Sequence, residues 1–467
     1  MATTMRTDPT FYPSPRIAMQ APKEHFGFVA ALRTDGKPDA VFTVDLDPAS
    51  QTYGKAVAKL ELPNAGDELH HFGWNACSSM LCPLAGHPFV ERRYIIVPGL
   101  RSSRIYVIDT KGAPGPVKIV KIIEPDEMMR KTGYSRPHTV HCGPEGIFVT
   151  TMGGKGVDGS DGPAGVFLMD CETFDIIGPW EADHGPQQLG YDFWWHMNDN
   201  IGVSSEWAKP PLFEDGLNLD ALLAGEYGHQ LHFWDLRSRR HLQAVDIGKN
   251  HQMVLELRPA HEPSKLYGFV NVVIDTTNLA SSVWMYHRSN GKFVAEKIIE
   301  IPAEPADADL LPPALKQFGA VPPLVSDIDL SLDDRYLYVS CWGTGELQQY
   351  DVTNPGSPKL TGSIRLGGIV RHAPHPNGRP AAGGPQMVEI SRDGERVYFT
   401  NSLYGAWDPI FYPGEMPGWM AIARLKQGGG FDLDPKLFVE FEDGYRAHQV
   451  RLEGGDSSTE SFCFPSA

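Results

Sequence analysis

The amino-acid sequence predicts an all-β protein, and its repeats specify a seven-bladed β-propeller with long inter-strand loops. Three observations support this prediction: many turn formers, one apolar motif that recurs seven times, and a strand–turn–strand pattern before each copy. The 467 residues include 48 Gly and 39 Pro, too many helix breakers for a bundle of long helices. Hydrophobic residues make up 41%, which supplies a large core and excludes collagen-like or disordered chains.

The recurring motif is a short alternating apolar run that ends in Asp in five of its seven copies. β-Branched and aromatic residues with period-2 alternation favour strands. Successive copies end 52 to 73 residues apart, which leaves room for four strands and long loops in each repeat. The seven runs end at Asp45, Asp109, Asp170, Asp235, His287, Asp351 and Arg424.

Each copy follows a second pattern, in which an extended run, a turn and another strand succeed one another. Pro137–Cys142, for example, leads through the turn Gly143–Gly146 to Ile147–Thr151. An array of β-sandwiches would also contain such hairpins, but it would not explain seven similar copies without linkers. We therefore expect one propeller domain over residues 21–460, an N-terminal extension over 1–20 and a C-terminal tail over 461–467.

Charge and apolar patterning restrict the partners of the protein. The net charge is −17, which argues against binding to nucleic acids or anionic membranes. No stretch approaches the roughly 18 apolar residues of a membrane span, and residues 1–20 contain no signal-like apolar segment. Six cysteines in so long a chain do not form a disulfide scaffold. We expect a cytoplasmic protein, or a periplasmic one if a signal peptide has been removed.

Histidines are the strongest candidates for chemistry. The innermost strand of each blade lines the channel, and His138, His251 and His448 occupy one register at the start of such strands, with His71 close to it. One such histidine alone would more simply cap a turn, but propeller symmetry brings all four to one mouth of the channel. Neutral imidazoles that converge there suit copper, zinc or iron. The seven innermost strands are expected to begin near His71, His138, Gly190, His251, Asp327, Gln386 and His448.

Two further residues extend this hypothesis. His141 lies three positions beyond His138 and would face away from the channel unless a β-bulge intervenes. Cys77 follows His70 and His71 closely, and a thiol near a metal or an imidazolium has a lowered pKa. Cys77 is therefore the candidate catalytic thiol, as a further ligand or a redox partner.

Several long motifs resemble the selenium-binding protein family, whose members include methanethiol oxidases. The resemblance runs from about residue 20 to residue 460. It is carried by Asp67–Ser79, Ser102–Val107, Leu189–Trp194, Ser205–Trp207, Leu330–Arg335, Gly383–Met387, Ser402–Tyr404, Ala406–Asp408, Ala447–His448 and Gly454–Asp456.

This resemblance implies a propeller fold and the oxidation of methanethiol by O2 and water to hydrogen sulfide, formaldehyde and hydrogen peroxide. It implies copper as the cofactor, as in bacterial members, with a small thiol and O2 as the partners. The histidines that match the family are His70, His71, His138, His141 and His448, whereas His251 rests on its register alone.

The sequence departs from the family pattern at two positions that concern thiol chemistry. Met80 stands where the family often has the second cysteine of a Cys-Ser-Ser-Cys motif, and Cys82 is the nearest replacement. Gly54 aligns with the cysteine that animal members are thought to use for selenium. The first departure removes the vicinal dithiol unless Cys82 replaces it, and the second argues against selenium binding at Gly54.

Two other functional classes remain open from sequence. The propeller could be a selenium-binding or protein-interaction scaffold without catalysis, in which the histidines are structural. It could also be a lactonase-like hydrolase with a channel calcium ion, which prefers oxygen ligands. Such a site would need the carboxylates of Asp192, Glu206, Asp327 and Asp329.

Overall fold

The fold is a closed ring of seven four-stranded antiparallel sheets, which confirms the predicted seven-bladed propeller. A computed structural model describes residues 7–426 and 428–466. Blade 1 contains β1 (Phe26–Leu32), β2 (Pro38–Asp45), β3 (Ala56–Ala65) and β30 (Arg446–Leu452). Blade 2 contains β4 (Gly73–Trp74), β5 (Tyr94–Pro98), β6 (Ile105–Asp109) and β7 (Lys118–Ile123).

The next three blades follow one another along the chain without insertion of other strands. Blade 3 contains β8 (Ser135–Gly143), β9 (Gly146–Gly153), β10 (Val166–Met169) and β11 (Ile176–Pro179). Blade 4 contains β12 (Phe193–His196), β13 (Ile201–Ser204), β14 (Gln230–Asp235) and β15 (Arg240–Asp246). Blade 5 contains β16 (His251–Pro259), β17 (Tyr267–Asp275), β18 (Ser281–Ser289) and β19 (Lys292–Ile301).

A small two-stranded sheet, β20 (Glu304–Pro305) with β21 (Ala320–Val321), separates blade 5 from the last two blades. Blade 6 contains β22 (Val325–Leu330), β23 (Tyr336–Cys341), β24 (Glu346–Asp351) and β25 (Lys359–Arg365). Blade 7 contains β26 (Val388–Ile390), β27 (Arg396–Thr400), β28 (Gly418–Leu425) and β29 (Phe431–Phe441).

Helices are short and lie in the connections. The α-helices are α1 (Pro15–Ala18), α2 (Pro125–Thr132), α3 (Leu219–Ala224) and α4 (Asp408–Phe411). Single 3-10 turns are formed by Met197–Asp199, Pro210–Leu212, Ala308–Leu310, Lys316–Phe318 and Ser457–Thr459. Over residues 7–426 and 428–466, no helix has the length and apolar character needed to cross a membrane.

The two ends of the chain close the ring together. In blade 1 the sheet order is β3-β2-β1-β30, so the last strand pairs with the first, antiparallel to it. The innermost strand of blade 1 is thus β30, whereas each other blade begins with its innermost strand. All seven innermost strands begin at one mouth of the channel and end at the other.

The recurring Asp residues have a local structural role. Each predicted run forms the third strand from the channel in its blade, and in the five runs that end in Asp this residue accepts backbone hydrogen bonds in the turn that follows. Asp109 accepts from Lys111 N at 3.0 Å and Asp351 accepts from Thr353 N at 2.9 Å. The repeated Asp therefore reflects one type of Asp-stabilised turn that recurs in several blades.

The core consists of seven apolar clusters, each of which lies between two neighbouring blades. Phe28 of blade 1, for example, packs edge-on against Trp74 of blade 2 with ring centroids 5.7 Å apart. An eighth large cluster forms over the mouth where the innermost strands begin. We call this lid the cap, and it is built mainly from the loops 205–229, 302–324 and 401–417.

The C-terminal segment covers the opposite mouth. Ser457 donates to Asp329 and Ser458 donates to Glu389, both of which are buried channel carboxylates. Glu460 pairs with the buried Arg92. Both ends of the channel are therefore covered, one by the apolar cap and the other by this polar segment.

Candidate active site

Four histidines meet in the channel under the cap. His70 and His71 precede β4, His138 lies in β8 and His448 lies in β30. None of the four is more than 2% exposed. The convergence predicted for His71, His138 and His448 is therefore observed, and His70 joins them.

The rings of these histidines are in direct contact. His70 stacks on His448 with centroids 4.1 Å apart, and His71 lies 4.2 Å from His138. The two pairs are linked, because His71 lies 5.5 Å from His448 and His70 lies 6.2 Å from His138. We call these four residues the histidine cluster.

Backbone irregularities bring these side chains together. His138 lies in a β-bulge of β8, where the register with β9 shifts between Pro137 and Val140. His448 is the extra residue in a second bulge, where β30 shifts against β1. Bulges redirect side chains, and both innermost strands use one to turn a histidine toward the same point.

His70 and His71 are neighbours, and adjacent residues of a regular strand would face opposite sides of the sheet. Both reach the cluster because residues 70–72 precede β4 and do not adopt regular strand structure. Glu68, just upstream, has φ 56°, so the chain turns sharply before it enters the channel.

Burial keeps His71, His138 and His448 uncharged. Burial and the neighbouring His70 lower the pKa of His138 to about 3. Burial, together with the other imidazoles, also holds the pKa values of His71 and His448 well below their ordinary value. Neutral imidazoles have the protonation state that metal binding requires.

Several cluster nitrogens are buried without a hydrogen-bond partner among residues 7–426 and 428–466. They are His70 Nδ1, His138 Nε2 and both ring nitrogens of His448. A buried polar atom without a partner is costly, and a metal ion would satisfy these atoms. The donor set therefore suits a soft or borderline transition metal.

The orientation of the imidazole rings decides whether the cluster could bind an ion without rearrangement. In the part of the chain that the structure describes, no three His, Cys, Asp or Glu side chains already surround a common ion position. The stacked rings of His70 and His448 explain this, because their planes are 8° from parallel. A metal ion bound by both His70 and His448 would require at least one of these two rings to turn.

Polar residues surround His71. Tyr191 donates its hydroxyl to Glu256 Oε1 at 2.9 Å, and that hydroxyl lies 3.4 Å from His71 Nε2. Glu256 Oε1 itself lies 3.3 Å from His71 Nε2. His71 Nδ1 faces the amide of Gln449 at 3.4 Å. Both nitrogens of His71 thus have protein neighbours, unlike those of His448.

The sequence does not mark Tyr191 or Glu256 as a site residue. Tyr191 lies within the Leu189–Trp194 motif, which carries part of the family resemblance. Glu256 comes from the middle of β16, where nothing in the local sequence marks it. Tyr404, from the cap, packs on His70 with ring centroids 4.4 Å apart and completes the surroundings of the cluster.

His141 faces the channel but lies deeper than the cluster. The bulge at His138 turns the rest of β8, and His141 then follows roughly 10 Å farther along the strand. Its Nε2 lies 2.8 Å from Asp192 Oδ1, and its ring packs on Trp194 at 4.0 Å. The structure therefore places His141 in a pair with Asp192 and not among the clustered histidines.

His251 does not reach the cluster, which corrects the register argument. It lies at the first residue of β16, and its Nδ1 is 3.4 Å from Asp275 Oδ2. The bulge of β16 comes later, between Val254 and Leu257. Blade 5 therefore presents Glu256 at the position where the bulges of blades 1 and 3 present a histidine.

Cys77 lies at the other end of β4 from His71. Its thiol donates to the carbonyl oxygen of Cys142 at 2.7 Å and lies 3.7 Å from Ser461 of the C-terminal segment. Burial raises the pKa of the Cys77 thiol. Hydrogen bonds to its thiolate from the side chains of Cys142 and Ser79 outweigh burial and lower that pKa to about 7. The structure does not bring this thiol to the histidines.

The channel carboxylates considered for a calcium-dependent hydrolase are bound to protein groups. Asp327 pairs with Arg258 and accepts from Val388 N at 2.7 Å. Asp192 accepts from Leu257 N at 3.0 Å, and Glu206 lies 2.9 Å from His232 Nε2. Asp329 pairs with Arg258 and Ser457. These residues join neighbouring blades, so the geometry does not favour a hydrolase.

The family model described as 56kDa selenium binding protein (SBP56) matches residues 5–463 of the chain. The chain belongs to this selenium-binding protein family. The sequence motifs had indicated this family, and the match confirms that prediction.

Known relatives of this chain cover nearly its whole length. It is 37% identical to a methanethiol oxidase of Xenopus laevis, over 96% of this chain and 97% of the relative. A methanethiol oxidase of Homo sapiens is also 37% identical, with the same coverage. The X-ray structure of a hypothetical selenium-binding protein from Sulfolobus tokodaii is 53% identical. That structure superposes with a TM-score of 0.94 over 98% of this chain and 100% of the other.

The departure at Gly54 has a structural counterpart. Gly54 lies in the turn between β2 and β3 with φ 73°, a backbone conformation that L side chains rarely adopt. A Cβ added there would lie 3.4 Å from the carbonyl oxygen of Lys436. The turn is thus shaped for glycine, and it lies on the outer strands of blade 1.

Proposed function

We propose that this protein is a copper-dependent methanethiol oxidase. The reaction converts methanethiol, O2 and water to hydrogen sulfide, formaldehyde and hydrogen peroxide. The observation that carries the proposal is the cluster of four buried histidines, three of which have ring nitrogens without a partner among residues 7–426 and 428–466. The names of the full-length relatives supply the substrate.

The ligands proposed for copper are His70, His138 and His448. Their free nitrogens are the donors, whereas His71 is already engaged by Tyr191, Glu256 and Gln449. Imidazole nitrogen is a common ligand for copper in proteins. When bound, copper supplies the one-electron redox chemistry that links a thiol to O2.

The residues around the cluster exclude water and hold a proton. The cap buries the histidines, and Tyr404 covers His70. Burial raises the pKa of Glu256 to about 7, against the opposing charge of Arg258. The pair of Tyr191 and Glu256 can therefore hold a proton next to His71 at neutral pH. Thiol oxidation requires such a group, because the thiol must lose its proton.

Elemental analysis after expression with added copper tests the metal directly. We expect about one copper ion per chain and loss of that copper on chelation. A content below roughly a tenth of an ion would favour the non-catalytic scaffold.

Product assays test the activity. Hydrogen peroxide and sulfide should both appear when the copper-loaded protein meets methanethiol in air, and neither should appear with the chelated protein. Full activity of the metal-free protein would contradict copper dependence. Absence of both products from a fully loaded protein would contradict the oxidase itself.

A further inference from the structure

The cap contains an apolar cavity of about 110 Å³ that the proposed chemistry does not use. One polar residue, Thr276, contributes to its wall, and the exposed side chain of Leu223 lies at its rim. We call this space the cap cavity. Its other walls are apolar and include Leu222, Met253, Leu279, Ala314, Leu324 and Trp407.

Strained backbone surrounds this cavity. Met253, Leu279 and Leu324 have φ values of 68°, 61° and 49°, in the left-handed region that bulky residues rarely adopt. All three side chains line the cap cavity. Strain of this kind persists where the surrounding structure fixes it, and it is concentrated at ligand sites. Three separate backbone positions, in β16, in the β17–β18 turn and just before β22, are therefore held in costly conformations around one apolar space.

An aromatic wall separates the cavity from the histidine cluster. Trp407 lines the cavity, and its ring lies 5.5 Å from Trp207 and 6.1 Å from Tyr404. Tyr404 in turn lies 4.4 Å from His70. Two layers of rings, Trp407 and then Trp207 with Tyr404, therefore lie between a small molecule in the cavity and His70.

The wall also carries a free hydrogen-bond donor. Trp207 is 1% exposed, and within residues 7–426 and 428–466 its indole N–H has no acceptor. By contrast, the indole N–H of Trp407 donates to the carbonyl oxygen of Phe213 at 2.8 Å. A buried donor without a partner is unusual, and a ligand that crosses the wall would satisfy it.

We propose that the cap cavity is an entrance site for short alkyl thiols, which bind there before they pass Trp207 and Tyr404 to reach His70. Dry apolar cavities of roughly 150 Å³ bind small apolar molecules such as benzene or xenon. An uncharged alkyl thiol has this chemistry, whereas charged thiols would lose their hydration without compensation. The inference rests on the proposed oxidase function and adds the selection of its substrate.

Filling the cavity is the first test. Ala314 is half-buried at the cavity wall, so Ala314→Phe places a ring in the space. We expect the KM for methanethiol to rise about tenfold, with unchanged kcat, KM for O2 and copper content. The matched control is Ala306→Phe, because Ala306 is also half-buried in the loop 302–324 but does not line this cavity. An unchanged thiol KM in folded Ala314→Phe protein would overturn the inference, as would a rise in the KM for O2 alone.

Enlarging the cavity is the second test and does not depend on the fit of an added ring. Leu222→Ala removes a buried wall residue of α3. We expect the ratio of kcat/KM for 1-butanethiol to that for methanethiol to rise at least about fivefold. A fall in both values with no change in their ratio would contradict the proposed selection of thiols.

Binding measurements separate this inference from the function on which it rests. Crystals of the wild type under xenon pressure should show xenon in the cap cavity, and Ala314→Phe crystals should not. Metal-free wild type should bind 1-propanethiol in calorimetry, and Ala314→Phe should bind it at least about tenfold more weakly.

If these results hold while the copper-loaded protein oxidises no thiol, the oxidase proposal fails and the alkyl thiol site stands. If oxidation holds while xenon and propanethiol do not bind, the cavity inference fails alone.

Discussion

The imidazole rings of His70 and His448 stack with centroids 4.1 Å apart and planes 8° from parallel. Ring nitrogens direct their lone pairs within the ring plane, so two stacked rings cannot bind one ion placed between them. Copper binding would therefore turn at least one ring, and the unpartnered nitrogens of both residues favour that turn. The two residues come from opposite ends of the chain, which meet only because the propeller is closed.

Removing a cluster histidine should remove the metal. We expect His448→Ala to lose copper and at least about 99% of the oxidase activity, because both of its ring nitrogens are free for ligation. Elemental analysis and the peroxide assay measure the two effects, and circular dichroism should show an unchanged fold. His251→Ala is the matched control, since His251 pairs with Asp275 outside the cluster. Equal copper loss in both variants would contradict the proposed ligand set.

Cys77 should not be needed for metal binding. Its thiol lies beside Cys142 and Ser461, at the other end of β4 from His71. We expect Cys77→Ser to retain its copper content and to keep kcat within about twofold, because a serine hydroxyl can still donate to the Cys142 carbonyl. Copper content and peroxide release check this. Copper loss comparable to that of His448→Ala would show that the thiol takes part in the metal site.

The pH dependence of stability should report the buried, neutral His138. Its folded pKa is about 3, below the roughly 6.5 of an unfolded histidine, so the unfolded state binds a proton first. The stability that His138 contributes is present above pH 6.5 and is lost as the pH falls toward 3. Between pH 7 and pH 5, metal-free wild type should lose about 2 kcal/mol more stability than His138→Phe. Urea unfolding measures the difference.

The control for this pH experiment is Tyr404→Phe, which alters the surroundings of His70 but removes no base. Its free energy of unfolding should depend on pH as that of the wild type does. Parallel curves for His138→Phe and the wild type would show that His138 titrates alike in the folded and unfolded states.

The buried ion pair of Arg451 and Glu389 gives a stability prediction. Arg451 Nη1 donates to Glu389 Oε1 at 2.6 Å, and the two side chains are 3% and 0% exposed. Arg451→Met leaves a buried carboxylate without its cation, which should cost about 3 kcal/mol in unfolding experiments. Burial already raises the pKa of Glu389 against the effect of Arg451, so the cost should shrink at lower pH, where Glu389 binds a proton.

Two comparisons make this prediction specific. Adding Glu389→Gln to Arg451→Met should recover more than half of the lost stability, because the unpaired charge disappears. Lys23→Met, which breaks an exposed pair with Glu395, should cost less than about 1 kcal/mol. A cost of that small size for Arg451→Met would mean that the channel is hydrated and does not bury the pair.

Much of the fold follows from local sequence. The seven alternating apolar runs predicted the third strand of each blade, and in five of them a final Asp stabilises the next turn. The number of blades followed from counting all seven runs. The closure of blade 1 by β30 depends on tertiary structure. The local sequence pattern of Arg446–Leu452 does not reveal that this strand pairs with β1.

The candidate site was only partly predictable. His138 and His448 were selected because they share a register, and the structure brings them together. His251 shares the same local pattern but lies before the bulge of β16, whereas the other two lie within bulges. One extra residue in a strand changes which side chains face the channel, and no sequence signal marks where it is inserted.

By itself the sequence determined the strands, the turns between them, the number of repeats and the residue types available for chemistry, because those depend on contacts between near neighbours. Only the tertiary structure decided that His70 and His448 touch, that Glu256 takes the place expected for His251, and that Cys77 lies at the far end of the channel. Those outcomes depend on bulge positions and ring closure. Both are fixed by packing between blades that lie hundreds of residues apart in the chain, which local patterns do not encode.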